Sequence, residues 1–123
     1  MIRATGDKTT PIGSGNISLS LKQCRSVIIK DITILHTGQF GILATGVDNL
    51  TIDNLKIDTN RDGIVIDCCK NIHLSNCTVN TPADDAICLK SSYSLGFKRA
   101  TENVTIINCI VSAFDEGTVL DGN

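Results

Sequence analysis

Apolar and polar residues alternate along the chain in short runs, and these runs recur. Residues 26–34 have the same pattern as residues 49–57, 71–79 and 103–111. Alternation with a period of two indicates strands that are buried on one face. The apolar anchors of the four segments are separated by 23, 22 and 32 residues, and they are Val27, Leu50, Ile72 and Val104. The pattern predicts a repeated strand unit, and the longest interval holds an insertion around residues 91–100.

A second short strand follows each anchor segment after a polar turn. These strands open at Gly41, Gly63, Ala86 and Gly117. No stretch has apolar residues at helical spacing with helix caps. A unit this small cannot bury its own apolar face, so it must stack on its copies as a β-solenoid. Strand count and handedness do not follow from spacing, although the unit length fits three faces.

The predicted fold is therefore all-β: a parallel β-helix of about four to five coils forming one domain. Residues 1–15 are expected to be an irregular or capping segment, and residues 16–123 to form the coils. No polar cap is recognisable near residue 123, so the chain is expected to be part of a longer solenoid. Its open ends predict marginal stability or self-association.

Composition supports strands and excludes several classes of function. Ile, Val and Thr contribute 37 of the 123 residues, whereas the aromatic residues are three Phe, one Tyr and no Trp. Such a chain favours strands with an aliphatic interior. A net charge of −2 gives no electrostatic footprint for nucleic acid. No apolar run approaches the ~20 residues that span a membrane, and the N-terminus has no signal-peptide pattern.

The chain has six cysteines, and asparagine recurs at two positions of the repeat. The cysteines form no C-x-x-C pair, and neither histidine stands at ligand spacing from them, so neither metal nor cofactor is expected. Buried, reduced thiols are expected instead, with Cys77 and Cys109 stacked in the interior. Two asparagine ladders along the axis are predicted. Their members are Asn49, Asn71 and Asn103, and Asn54, Asn76 and Asn108.

Carboxylates recur at one place in the repeat. Four residues stand 12 or 13 positions after the anchors, and they are Phe40, Asp62, Asp85 and Glu116. Equivalent positions on adjacent coils lie about 4.8 Å apart, so Asp62 and Asp85 should be neighbours, with Asp84 beside them. Crowding should raise the pKa of at least one carboxyl, as general acid–base catalysis requires. The alternative is that Asp62 is only a turn residue before glycine.

Four cations lie near these acids by the same arithmetic: Arg61, Lys90, Lys98 and Arg99. They are expected to neutralise the acids or to bind a carboxylate-bearing substrate. The two histidines are weaker candidates. His73 is expected on the surface of another face of the coil, and His36 is placed in a turn one coil earlier.

Two motifs one coil apart carry a family resemblance: Asn60-Arg61-Asp62-Gly63, and Asp84-Asp85 followed by Ala-Ile-Cys-Leu-Lys-Ser. With them the sequence resembles the polygalacturonase-like glycoside hydrolases of family 28, which are right-handed parallel β-helices. The resemblance implies hydrolysis of pectic polysaccharide with inversion, by a protein that is secreted or periplasmic. Asp84 would be the general acid, and Asp62 and Asp85 would activate water. Substrate contacts would come from Asn60, Arg61, Lys90 and Glu116.

The sequence also departs from that family. Asp-Glu-Gly at residues 115–117 replaces the family's Gly-His-Gly, and its Arg-x-Lys motif would lie beyond Asn123. Carboxyl groups one coil apart are closer than the about 6.5–9.5 Å of inverting enzymes, so this distance rule alone favours retention. Two other functions stay open. One is a polysaccharide lyase with a calcium-binding acidic cluster, and the other is a non-catalytic carbohydrate-binding or adhesive module.

Overall fold

The computed structural model describes residues 2–3, 17–37, 39–82 and 84–112, and all of its regular elements are strands. Within these residues no helix is long and apolar enough to cross a membrane. The strands are β1 (Ile2–Arg3), β2 (Leu19–Lys22), β3 (Arg25–Lys30), β4 (Thr33–Thr37), β5 (Ile42–Thr45), β6 (Asp48–Asp53), β7 (Lys56–Thr59), β8 (Ile64–Asp67), β9 (Lys70–Ser75), β10 (Thr78–Asn80), β11 (Ile87–Lys90), β12 (Glu102–Ile107) and β13 (Ile110–Ser112).

The strands form three parallel sheets that the chain visits in turn. Sheet A has the order β1-β4-β7-β10-β13, sheet B has β11-β8-β5-β2, and sheet C has β12-β9-β6-β3. One circuit from C through A to B makes a coil, and each strand pairs with its equivalents on neighbouring coils. The predicted parallel β-helix with three faces is therefore confirmed. The turns between the sheets are called the C–A, A–B and B–C corners below.

The strand register follows the anchors found in the sequence. Leu50 pairs with Val27 on one side and with Ile72 on the other, and Ile72 pairs with Val104. The extra residues of the longest interval lie between β11 and β12, at residues 91–101, and leave this register intact. The strand predicted at Gly117 and most of the segment 1–15 lie outside the described residues.

The interior between the sheets is aliphatic. Ile, Leu and Val dominate the fully buried side chains, with Leu50, Ile52, Ile64 and Ile72 among them. Each such side chain contributes about 1.5–3 kcal/mol relative to an exposed one. The described aromatic residues lie outside this core, because Tyr93 and Phe97 are 64% and 50% exposed and Phe40 is half-buried at a corner.

One hydrogen bond of the first predicted asparagine ladder is present, between Asn103 and Asn71, and the second predicted ladder is wrong. Asn103 donates a hydrogen bond to Asn71 at 3.1 Å. At the C–A corner, however, Asn76 donates to Asp53 at 3.0 Å instead of bonding to Asn54. All six asparagines have φ between 52° and 61°. Asparagine tolerates this left-handed region better than most residues do, so backbone conformation accounts for its recurrence.

All six cysteines are free thiols, but burial holds for only three of them, Cys68, Cys69 and Cys77. Cys77 is buried beside Cys109, because Thr78 and Ile110, the residues that follow them, are register partners. Cys109 itself is half-buried. Burial raises the pKa of Cys77, so its thiol is protonated and packs as a small apolar side chain.

Candidate active site at the A–B corner

The A–B corner brings the repeated carboxylates together. The backbone N–H of Gly41 donates to Asp62 O at 3.1 Å, and that of Gly63 donates to Asp85 O at 3.0 Å. These bonds stack Phe40, Asp62 and Asp85 on successive coils, at the point where each coil enters sheet B. Glu116, assigned to the next coil, lies outside the described residues.

Asp62, Asp84 and Asp85, called the acid cluster here, are linked by hydrogen bonds. Asp62 Oδ1 and Asp84 Oδ1 both accept from the backbone N–H of Asp85, at 3.2 and 3.0 Å. Asp84 also lies close enough to Asp62 for its side chain and its charge to favour the protonated form of Asp62. Asp62 is only 8% exposed, whereas the Asp84 side chain is 33% exposed.

The pKa of Asp62 is raised to about 6. Burial is the main cause, followed by the hydrogen bond and the charge of Asp84, and finally by the charge of Asp85. A raised pKa within the cluster was expected, but Asp84 was the residue expected to hold the proton. The geometry instead raises the pKa of Asp62, because that residue is buried while Asp84 reaches solvent and an arginine.

Arg61 supplies the counter-charge to Asp84. Its Nε lies 3.1 Å from Asp84 Oδ2, and its guanidinium lies 5.3 Å from the centre of the Phe40 ring. The backbone of Arg61 is held on both sides: its N–H donates to Thr59 Oγ1 at 3.2 Å, and its carbonyl accepts from Thr81 Oγ1 at 2.7 Å. These contacts orient Arg61 toward the acid cluster before any substrate binds.

The other predicted substrate-binding residues that the structure describes differ in their exposure to solvent. Asn60 is only 5% exposed, which favours a part in shaping the corner over broad substrate contact. Lys90 is exposed at the end of β11, on the outer face of sheet B. His73 is exposed on sheet C, away from the acid cluster, and His36 lies in β4.

Arg99 does not join the acid cluster, so the expectation that it neutralises these acids is wrong. Its Nη2 lies 2.6 Å from Asp48 Oδ1, and its Nη1 donates to Cys68 O at 2.5 Å. The reason is the path of residues 91–101, called the insertion here, which folds over the B–C corner. Lys98 is exposed on the insertion.

Asp67 fixes the near end of the insertion. It is 1% exposed and accepts from the Ser92 N–H at 2.8 Å, from the Ser94 hydroxyl at 3.0 Å, from the Ser92 hydroxyl, and from the Cys68 thiol. Burial acts to raise its pKa, but these hydrogen bonds outweigh burial, so the pKa of Asp67 is lowered. A cluster of donors around a buried carboxylate thus ties the insertion to sheet B.

Sequence reasoning missed Cys88, which faces the acid cluster from β11. A carboxylate oxygen of Asp62, one of Asp85 and Cys88 Sγ lie within 4.8 Å of one another. Strand alternation could have found it, because Cys88 stands one residue after the inward-facing Ile87. This trio is the set of described residues best placed to hold a cation. Burial, and next the charge of Asp62, raise the pKa of Cys88, whereas metal binding needs the thiolate. The trio is therefore better suited to holding protons.

A family comparison agrees with this architecture. Residues 5–123 match the model of a family described as a right handed beta helix region. The chain belongs to this family, and its fold is a right-handed parallel β-helix. The match is consistent with membership of the broader pectin-lyase-like superfamily, but it does not identify the chain as a member of family 28. Searches of curated proteins and of solved structures found no match.

Proposed function

We propose that the protein is a glycoside hydrolase acting on pectic polysaccharide of the galacturonan or rhamnogalacturonan type. The observation that carries the proposal is the acid cluster, in which the buried Asp62 carboxyl, with a pKa raised to about 6, and the half-exposed Asp84 carboxyl accept from the same backbone N–H. A carboxyl that keeps its proton in weakly acidic solution beside other carboxylates is the arrangement that glycosidic cleavage requires. Resemblance to family 28 supplies the substrate class. A secreted or periplasmic location follows from that substrate.

In this mechanism Asp84 delivers the proton that the Asp62–Asp84 pair holds. Asp84 is the more exposed partner, so its carboxyl protonates the leaving glycosidic oxygen as the bond to the anomeric carbon breaks. Arg61 then stabilises the new Asp84 carboxylate. Asp85, with Asp62, accepts the proton of the water whose oxygen bonds to the anomeric carbon. One proton enters the cluster for each that leaves, so the net charge of the site is unchanged after turnover.

The stereochemical outcome tests how the water is held. Resemblance to family 28 implies inversion. The distance rule applies to the acid and the base or nucleophile, which here are Asp84 and Asp85. The oxygens of Asp62 and Asp85 that lie within 4.8 Å of each other face the same water in this mechanism. We propose inversion, with both carboxylates on the side of the attacking water. Proton NMR of the first product anomer distinguishes the two outcomes, because retention would mean that a carboxylate attacks directly.

The deciding experiment is release of reducing sugar from polygalacturonate and from rhamnogalacturonan. We expect release by the wild-type chain and its loss in Asp84→Asn. Asp31→Asn, which makes the same chemical change at the C–A corner, should keep wild-type release. Products with the ultraviolet absorbance of an unsaturated sugar would instead identify a lyase. Binding of the polysaccharide without any release would identify a non-catalytic carbohydrate-binding module.

A further inference from the structure

A cavity of about 300 Å³ lies on the outer face of sheet B, next to the acid cluster. This volume is at the lower end of the range for small-ligand sites. Its lining includes two lysines, two apolar side chains and the anchor of the insertion: Lys22, Lys90, Phe40, Leu43 and Asp67. We call it the lysine cavity.

The two lysines stand at opposite ends of one row of side chains. Lys22 pairs with Thr45, Thr45 with Asp67, and Asp67 with Lys90. Three strand spacings therefore separate the lysine backbones, or about 14 Å. Both lysines are exposed, and within the described part of the chain neither ammonium group has a hydrogen bond or an ion pair. They are available to a ligand from two sides.

Asp67 lies between the lysines but is already engaged. Its oxygens accept from Ser92, Ser94 and Cys68, as described above. No ion pair joins it to Lys90, although that lysine is its neighbour in the row. The two lysines and Asp67 leave a local charge of about +1 in a chain whose net charge is −2. The lysine cavity thus carries two exposed positive charges beside the negatively charged acid cluster.

The floor of the lysine cavity suits a sugar ring. Phe40 and Leu43 offer an apolar surface, while Ser20, Thr45 and Ser94 offer hydroxyl groups. Small-ligand sites commonly combine apolar walls with a few polar groups that fix orientation. Phe40 also contacts Arg61, which pairs with Asp84. Phe40 and Arg61 therefore connect the lysine cavity to the acid cluster.

We propose that the lysine cavity is a subsite for an anionic sugar unit, whose acid group is bound by Lys22 and Lys90. The proposal rests on the proposed function for placing this unit in the same polysaccharide that the acid cluster cleaves. The acid group is a carboxylate or a sulfate ester, which lysine ammonium groups bind by the same charge. The subsite makes the protein selective for charged over neutral glycan.

Calorimetric titration with three oligosaccharides of equal length tests the subsite: oligogalacturonate, neutral galacto-oligosaccharide, and sulfated galacto-oligosaccharide. We expect tighter binding of an anionic ligand than of the neutral one. Lys22→Gln and Lys90→Gln should each weaken anionic binding about tenfold, and added salt should weaken it further. Lys56→Gln, at an exposed lysine on sheet A, is the matched control and should bind as wild type. Lys22→Arg and Lys90→Arg should keep most of the affinity.

Each outcome decides between the two proposals. Equal binding of neutral and anionic ligands, or unchanged affinity in the Lys22→Gln/Lys90→Gln double variant, overturns the subsite. Turnover of galacturonan by a double variant with unchanged KM would do the same while leaving the proposed function intact. Lysine-dependent binding of oligogalacturonate without any cleavage supports the subsite and overturns the hydrolase. A preference for the sulfated ligand alone supports the subsite and excludes a pectic substrate.

Discussion

The surroundings of Asp62 determine its protonation. Asp62 is buried, its pKa is raised by burial and by Asp84, and one of its oxygens lies within 4.8 Å of an oxygen of Asp85 and of the Cys88 sulfur. Its position could be predicted from the repeat, because equivalent residues on successive coils must stack. Its raised pKa could not be predicted from the sequence, because it depends on how deeply each carboxyl is buried and on which carboxyl Arg61 contacts.

Removing any one carboxyl of the acid cluster should abolish most activity. Asp84→Asn removes the transferable proton but keeps the shape, so kcat should fall by about 10²–10⁴-fold with KM little changed. Asp62→Asn and Asp85→Asn should also lower kcat strongly, because they position the proton and the water. Glu116→Gln should cause a smaller loss. Near-normal kcat on the best pectic substrate in Asp84→Asn would contradict the assignment of the acid.

The raised pKa of Asp62 also predicts how stability depends on pH. Between pH 3.8, the ordinary pKa of an aspartate, and about pH 6, the folded state holds this proton while the unfolded state has lost it. The contribution of this proton to the free energy of unfolding is therefore fully present below about pH 4 and is lost as the pH rises through 6. The total loss is up to about 3 kcal/mol. Urea unfolding followed by far-ultraviolet circular dichroism should show Asp62→Asn gaining stability relative to wild type between pH 4.5 and pH 8.

Asp53 provides a control of opposite sign for that experiment. Hydrogen bonds from Asn76 and then Ser75 lower its pKa. Its contribution is present above about pH 4 and is lost as pH falls further. Asp53→Asn should therefore lose stability relative to wild type at neutral pH and recover it in acid. The same pH trend in both variants would contradict the assigned proton on Asp62.

At the scale of the elements, the A–B corner depends on a glycine that has no room for a side chain. A Cβ at Gly63 would lie 2.2 Å from Val79 Cγ1 and 2.5 Å from Ala86 O. Gly63→Ala should destabilise the fold by about 1–3 kcal/mol or more and displace the neighbouring Asp62. Gly96→Ala is a useful comparison. Its φ of 84° would strain an alanine, but a Cβ there would contact no other atom. Denaturant midpoints that drop no further in Gly63→Ala than in Gly96→Ala would contradict this view.

The insertion should come loose when its anchors are removed. Asp67→Ala removes the acceptor for Ser92 and Ser94, and Arg99→Lys replaces a group that reaches both Asp48 and Cys68 O. Lysine presents a single ammonium group and cannot reproduce that planar fork. Limited trypsin digestion should cut both variants at Lys98 much faster than wild type. An unchanged cutting rate would mean that other contacts hold the insertion.

These elements were predictable from sequence to different degrees. The anchors gave the correct register, because the two-residue strand period leaves only one face for Leu50 or Ile72 to bury. The path of the insertion was not predictable, since Arg99 meets Asp48 across 51 positions of sequence. Periodicity carries no information about such a contact. The recurring asparagines were read as ladders, whereas their shared property is a left-handed backbone.

At the scale of the whole molecule, the last described strands expose residues that face inward. Val111 and Ile106 are in register with the buried Val79 and Leu74, yet they are 53% and 44% exposed. Among the described strands, none pairs with the outer edge of β12 or β13, and an open edge with apolar side chains favours association. We therefore propose self-association through the edge formed by β12 and β13.

Light scattering should then give a mass that rises with protein concentration for the 123-residue chain. Val111→Lys should reduce that rise, because it places a charge among the inward-facing residues of this edge. Thr105→Lys, an exposed position of β12, adds the same charge and should have little effect. A mass that stays monomeric at all concentrations in the wild-type chain would refute the association.

The aliphatic core has a consequence for how this molecule can be observed. The chain has one tyrosine and no tryptophan, and that tyrosine, Tyr93, is on the insertion beside the lysine cavity. Its intrinsic fluorescence is therefore a natural single-site label, placed by the sequence without any chemical modification. Emission from Tyr93 reports solvent and ligands around the insertion, while the coils themselves contribute no such signal. Occupancy of the cavity and unfolding of the solenoid can thus be followed in one sample, in separate optical channels.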